Sequence, residues 1–188
     1  MAELSASNPF GPGFHRVASR ALIIDFMPAR PILRLKVHRL TIEAAAAVAA
    51  AVNVPLPTEV NRVTGDERRW LSLGPVEWLL IDEAGLAGVA GHLAQALLDV
   101  PHVVSHLGPA LAPIALRGER ARDVLAKGCP LDLHPRTFTV GACARTLLDG
   151  FGVTVHFRLP DPLFELYVDA SVARHAAAWL VDSAAEFF

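Results

Sequence analysis

The sequence predicts an α+β fold of two related halves, each reading β-α-β-β-α in the manner of a split βαβ unit, within one domain. Three observations predict it. Ile32-Leu33-Arg34-Leu35-Lys36-Val37 alternates with the period of a strand whose one face is wet. Val172, Ala176, Trp179, Leu180 and Ala184 recur with the spacing of an amphipathic helix. The order of strands and helices in the first half returns in the second, without a clear repeat at the residue level. The expected bounds are an extended arm over 1–14 and a domain over 15–188, its halves meeting near 108.

The arm rests on Asn8-Pro9-Phe10-Gly11-Pro12-Gly13, which is turn chemistry throughout. It is either loose or laid against a partner. Strands follow at 21–26 and 32–37. Thr41 can cap a helix over 42–52, with Glu43 near its positive end and Pro55 beyond its close. Residues 54–66 read as a loop. Two strands, 69–73 and 77–81, turn at Gly74-Pro75, and a helix over 86–98 and a strand over 102–106 complete the half. The second half places a strand at 112–116 and a helix at 118–127. Strands follow near 142–148, 152–158 and 163–169, and a last helix over 171–186 with Ser171 as its cap.

Between that second helix and its strands lies the densest punctuation in the chain, from Gly128 to Thr146. Gly128 suits a left-handed helix cap, and Pro130 cannot continue the helix. Leu131 and Leu133 alternate with Asp132 and His134, and Pro135 ends that strand-like run. The stretch reads as a rigid connector.

Composition limits the function. The chain has 188 residues, a net charge of −2, and a mean hydropathy of +0.38. No Lys/Arg block suggests nucleic acid or an anionic membrane. The apolar run 44–52, bounded by Glu43 and Asn53, falls well short of the ~20 residues a bilayer span needs. Met1–Phe14 lacks the pattern of a signal peptide, so a cytoplasmic protein is expected, and Cys129 and Cys143 are expected not to form a disulfide there. The apolar excess fits a surface that meets another protein.

No catalytic set assembles. Gly85, Gly88 and Gly91 are spaced G-x-x-G-x-x-G, which is not the dinucleotide fingerprint, and Asp82 and Glu83 would repel a pyrophosphate, so these read as helix-packing glycines. His102 and His106 on one strand stand ~13 Å apart, too far for one metal. Asp132 and His134 can make an acid–base pair, but no nucleophile neighbours them, and loop-fixing hydrogen bonds are the plainer reading. Cys129 follows a helix C-terminus, the wrong end of the dipole for a reactive thiol. Arg145 can bind a carboxylate or phosphate, or close a salt bridge. Trp70, Trp78 and Trp179 read as core, with partner contact second.

Several stretches taken together resemble the gamma subunit of heterotetrameric sarcosine oxidase. They are Leu73–Leu80, Leu116–Leu125, Lys127–Pro135, Phe138 with Gly141–Thr146, and Phe164–Val168 leading into Ser171-Val172-Ala173. One departure is Asp169-Ala170-Ser171, where the family pattern carries Arg-Ser. The resemblance implies a fold similar to the folate-binding aminomethyltransferase (T-protein-like) domain. It implies a subunit without its own active site, partnered by alpha, beta and delta chains that oxidatively demethylate sarcosine to glycine. FAD, FMN, NAD, tetrahydrofolate and zinc would be carried by those other chains, and catalytic, cofactor or metal residues are expected in none of this one. Trp78, Gly118, Gly128, Pro130, Asp132, Phe138, Gly141 and Arg145 are then structural or interface positions. A gamma-type subunit of an N-methylglutamate dehydrogenase, or a free-standing folate-binding protein, are the alternatives.

Overall fold

A computed structural model describes residues 8–188. In chain order the elements are β1 (Arg16–Ala18), β2 (Ile23–Phe26), β3 (Ile32–Val37), α1 (Ile42–Val52), β4 (Val63–Gly65), β5 (Arg68–Gly74), β6 (Glu77–Asp82) and α2 (Val89–Ala96). There follow β7 (His102–His106), β8 (Leu111–Arg117), α3 (Ala121–Ala126), β9 (Cys143–Leu148), β10 (Phe151–Leu159), β11 (Leu163–Asp169) and α4 (Ala173–Ala184). The chain divides into two compact units, 30–108 and 1–29 with 109–188. This differs from halves split near 108, because β2 pairs antiparallel with β8 and so belongs to the later sheet. The sequence reading also lacked β1 and β4, which are three residues each and too short to show a period.

The 30–108 unit is an antiparallel sheet in the order β4-β5-β6-β3-β7. Leu33, Leu35, Trp70, Trp78 and Leu80 line one face and bury against Val48 and Val52 of α1 and Leu93 of α2. On α1 the buried residues Ala44, Val48 and Val52 repeat at i+4, so alanine leaves the helix free to lie close to the sheet. Thr41 caps that helix, its hydroxyl accepting from the Ala44 N–H at 3.2 Å. Asn53, at φ 56°, ends it. The indole of Trp78 is fully inside, its Nε1 donating to the Pro57 carbonyl at 2.9 Å, so its own burial leaves that donor satisfied.

The other unit is a six-stranded sheet in the order β1-β2-β8-β11-β10-β9. Ile24, Leu116, Phe164, Leu166 and Val168 face α3 and α4, where Val124, Leu125, Ala176, Ala177 and Leu180 meet them. Residues 8–14 are held by contacts within the chain. Asn8 bonds the Phe10 N–H and the Gly11 and Phe14 carbonyls, and Phe10 is buried beside Phe26, ring centroids 5.2 Å apart. The expected arm over 1–7 lies outside the described residues. Ser171 does not cap α4. The Asp169 carboxylate accepts from the Ser171 N–H at 2.8 Å and caps the 3-10 turn that leads into the helix. That gives the acidic departure from the Arg-Ser pattern a local role.

Two glycines contrast in what their positions demand. Gly118 sits at φ +112°, and a Cβ there would lie 2.4 Å from the Ala21 carbonyl oxygen. Gly91, inside α2, has open space around it. Gly118→Ala is expected to destabilise the fold by about 1–3 kcal/mol, the scale of a strained backbone position. Gly91→Ala is expected to stabilise it by about 0.5–1 kcal/mol, since only helix propensity changes. Urea titration of both variants checks the pair, and equal effects would refute the assignment.

Candidate functional site

The connector from Gly128 to Thr146 folds as a pinned loop. Cys129, Leu133, Phe138 and Ala142 point into the core of the 109–188 sheet, while Pro130, Asp132, His134 and Arg136 stand exposed. The apolar–polar alternation holds, but no strand forms over 131–135. Asp132 explains why: its carboxylate accepts from the His134 N–H at 2.9 Å, closing an Asx turn. His134 in turn accepts the Arg136 N–H at its Nδ1, 3.2 Å away. Asp132 and His134 therefore serve the loop's backbone and do not act as an acid–base couple. Phe138 N–H donates to the His134 carbonyl, and Gly141, at φ +78°, donates its N–H to Phe157 and joins the loop to β10.

Gly128 does not cap α3 in the left-handed region. The constraint on it is space, because a Cβ there would sit 2.5 Å from Trp179 Cζ2. Its carbonyl accepts the Asp149 N–H at 3.1 Å, tying the helix end to the β9–β10 turn. Gly85 and Gly88 likewise are required by positive φ, at 115° and 73°, and a Cβ at Gly85 or Gly91 would meet nothing within 4 Å, so they are not packing glycines.

Arg122, on α3, is the residue sequence reasoning missed. Its guanidinium carbon lies 4.4 Å from the Phe157 ring centroid and 5.0 Å from that of Phe164, two rings stacked at 4.7 Å. Its Nη1 donates to the Leu133 carbonyl. One side chain thus covers the aromatic pair and holds the loop's midpoint, and burial lowers its pKa. The signal available in sequence was only an arginine one turn into a short helix.

A buried polar group was missed as well. Glu165, Tyr167 and His156 are nearly inaccessible, on strands β11 and β10. The Glu165 carboxylate accepts from Arg158 Nη1 at 3.0 Å and from the Tyr167 hydroxyl at 2.8 Å, and His156 Nδ1 lies 3.5 Å from it. Register places Cys143 opposite His156 and His156 opposite Glu165. The residue types invite a nucleophile–base–orienter reading. However, Cys143 is fully buried, and Glu165 already receives Arg158 and Tyr167. The clue in sequence was Glu165 alternating with Tyr167 between apolar residues of one strand.

The 30–108 unit treats its charges the same way. Arg68 bonds Asp82 at 2.6 Å and the Val52 carbonyl at the end of α1. Arg69, 1% exposed, donates to the Asp66 and Glu67 carbonyls and to Glu83. Asp82 and Glu83 are therefore engaged with arginines where a dinucleotide would need room. Arg145 lies exposed on the edge strand β9, Trp78 is core, and Cys129 and Cys143 are both buried and not joined to each other by a disulfide. Among the described residues no three His, Cys, Asp or Glu side chains form a metal-binding group, and no helix is long and apolar enough to cross a membrane.

The Asp132 carboxyl is held below its ordinary value, first by the His134 N–H and then by the Thr137 hydroxyl. A lowered folded-state pKa contributes stability that is present above the unfolded value of about 4 and lost as pH falls through the folded one. Asp132→Ala should therefore be less stable than the parent at neutral pH, with the gap closing in acid. Denaturation midpoints followed down the acid limb test this, and a gap independent of pH would contradict it.

Comparison with known proteins places this geometry. The sarcosine oxidase gamma subunit family matches over residues 41–186. The curated sarcosine oxidase gamma subunit of Corynebacterium sp. strain P-1 is 38% identical over 144 residues, covering 76% of this chain and 70% of that one. Its Arthrobacter sp. counterpart is 36% identical over the same shares. A chain of the heterotetrameric sarcosine oxidase of Corynebacterium sp. U-96, solved with pyrrole 2-carboxylate, superposes with TM-score 0.83 at 34% identity, covering 92% of this chain and 88% of that one. The glycine-cleavage aminomethyltransferase T of Bartonella henselae shares the fold at TM-score 0.58 and 16% identity, over 81% of this chain and 43% of that one. On the family match over most of its length and on relatives of more than a third identity, this chain belongs to the sarcosine oxidase gamma subunit family.

Proposed function

We propose that the chain is the gamma-type subunit of a heterotetrameric sarcosine oxidase, working in assembly and not in chemistry. The observation that carries it is the superposition with a chain of such a heterotetramer over nearly the full length of both. In this reading the alpha, beta and delta subunits oxidise sarcosine to glycine. They carry FAD, FMN, NAD, tetrahydrofolate and zinc, while this chain holds none of them. The buried charges support the reading, because Glu165 and Asp82 are each met by an arginine. A partner that binds only the folded, assembled state stabilises it by mass action. Likeness to an aminomethyltransferase is a statement about fold alone and adds no folate chemistry here.

Co-expression with the large subunits, purifying through a tag on this chain, is expected to recover one complex with the flavin-bearing chains. Recovery of this chain alone, beside an active and intact flavoprotein, would overturn the proposal. Trp78→Ala should destabilise the fold by about 3–5 kcal/mol, as truncation of a large core aromatic does. It is expected to reduce the yield of complex while leaving the KM for sarcosine of whatever complex forms unchanged. A shifted KM with full assembly would place Trp78 in substrate binding instead.

A further inference from the structure

We infer that Arg34 on β3 is the centre of a docking surface for an acidic side chain of a partner subunit, which supplies a carboxylate that this chain does not. β3 turns Leu33, Leu35 and Val37 to the core against α1 and α2, so Arg34 and Lys36 take the opposite face of the sheet. β7 does the same. Val104 packs on that core, which turns Val103 and Ser105 to the side of Arg34. Register sets Ser105 directly opposite Arg34, and Val103 opposite Lys36. The four side chains therefore form one patch across two neighbouring strands, the Cβ atoms of opposed residues about 5 Å apart.

Charge in this patch is unbalanced. Lys36 has its counter-ion on the other neighbouring strand, Glu77 of β6, at 3.3 Å. Arg34 has none. Among the described residues its guanidinium takes part in no hydrogen bond or ion pair, and its Nε is shut off from solvent without an acceptor. Arg68 and Arg69 of the same sheet differ, since each is bonded to a carboxylate and to backbone carbonyl oxygen. A guanidinium partly withdrawn from water without an acceptor destabilises the chain on its own. A carboxylate closing on it reverses that, through charge-assisted hydrogen bonds.

The side chains of the patch define what fits it. The forked donors of a guanidinium match the two oxygens of a carboxylate, and the Ser105 hydroxyl adjoins them as a further donor. Val103, 57% exposed, adds an apolar flank. An arginine beside an exposed apolar residue has the composition of an interface anchor. Lys36 and Val103 both reach solvent, so the patch is shallow, whereas a small ligand needs a concavity that surrounds it. The carboxylate therefore belongs to an Asp or Glu on a protein surface. The choice of another subunit as the bearer of that surface rests on the gamma-subunit reading.

The test uses the full chain with the large subunits of the complex. Arg34→Leu removes the cation and is expected to leave the isolated chain at least as stable in urea as the parent. Its binding to the large subunits is expected to weaken by about tenfold or more. Ser105→Asp sets a carboxylate beside Arg34 from within the chain, and is expected to weaken binding likewise while raising the urea midpoint. Because that variant keeps the arginine, the outcome can be read even where Arg34→Leu does not fold. Weakened binding at undiminished stability in either variant sustains the inference. A parent complex that both variants join with unchanged affinity overturns it and leaves the gamma-subunit reading standing. Loss of affinity that only follows loss of stability in both overturns it too, by making Arg34 a structural residue. Protection of the chain by free glutarate through Arg34, with assembly indifferent to both variants, overturns it by giving the patch to a small carboxylate. Failure of the parent itself to form the complex overturns the gamma-subunit reading and this inference with it.

Discussion

β2 reaches β8 across the entire 30–108 segment, and the sheet of the other unit is continuous only because it does. Closing so long a loop costs little more than closing a shorter one, since the penalty grows with the logarithm of length. A whole folded unit can therefore sit between two neighbouring strands. What the pairing fixes is the place where the chain leaves β8. Gly118 lies against the Ala21 carbonyl, its N–H bonds Pro162, and the Arg120 N–H returns to Ala21. α3 starts from that point, α3 carries Arg122, and Arg122 holds the connector at Leu133. A loop that looks local is thus positioned through a strand about a hundred residues upstream.

Much of the fold was legible because its strands and helices obey their periods. β3, α1, β6, β10 and α4 all fall close to where spacing and caps put them. What was not legible required knowledge of register. The membership of β2 cannot be read from Ile23–Phe26, since four apolar-rich residues pair as well with one sheet as another. Cys143, His156 and Glu165 come into one row only once β9, β10 and β11 are aligned. Arg122 is an ordinary helix residue until Phe157 and Phe164 stack beneath it. Glycine showed the same limit: one letter stood for positive φ at Gly118 and for an indole's space at Gly128.

Charge disposition separates a site from a structural element in this molecule. An active site keeps polar groups under-satisfied so that substrate completes them. Here Arg69 spends its Nη1 on two backbone carbonyls and a carboxylate, and Glu165 receives a guanidinium and a phenol. Even the exposed Asp132 and His134 of the connector are turned on neighbouring amides. Buried groups satisfied in this way fix one arrangement of the backbone.

Outside the sheets' own ladders the fold leaves some surface unpaired. Within the 30–108 unit that is the outer edge of β7 and the exposed Val103 beside it. Within the other unit it is the rim of the connector, where Pro130, Asp132 and Arg136 stand above buried Leu133 and Phe138. The two surfaces differ in kind. A strand edge offers backbone groups that any extended chain can satisfy, so its selectivity comes from side-chain register. The connector offers a fixed shape with its backbone largely used internally, so its selectivity comes from contour and charge.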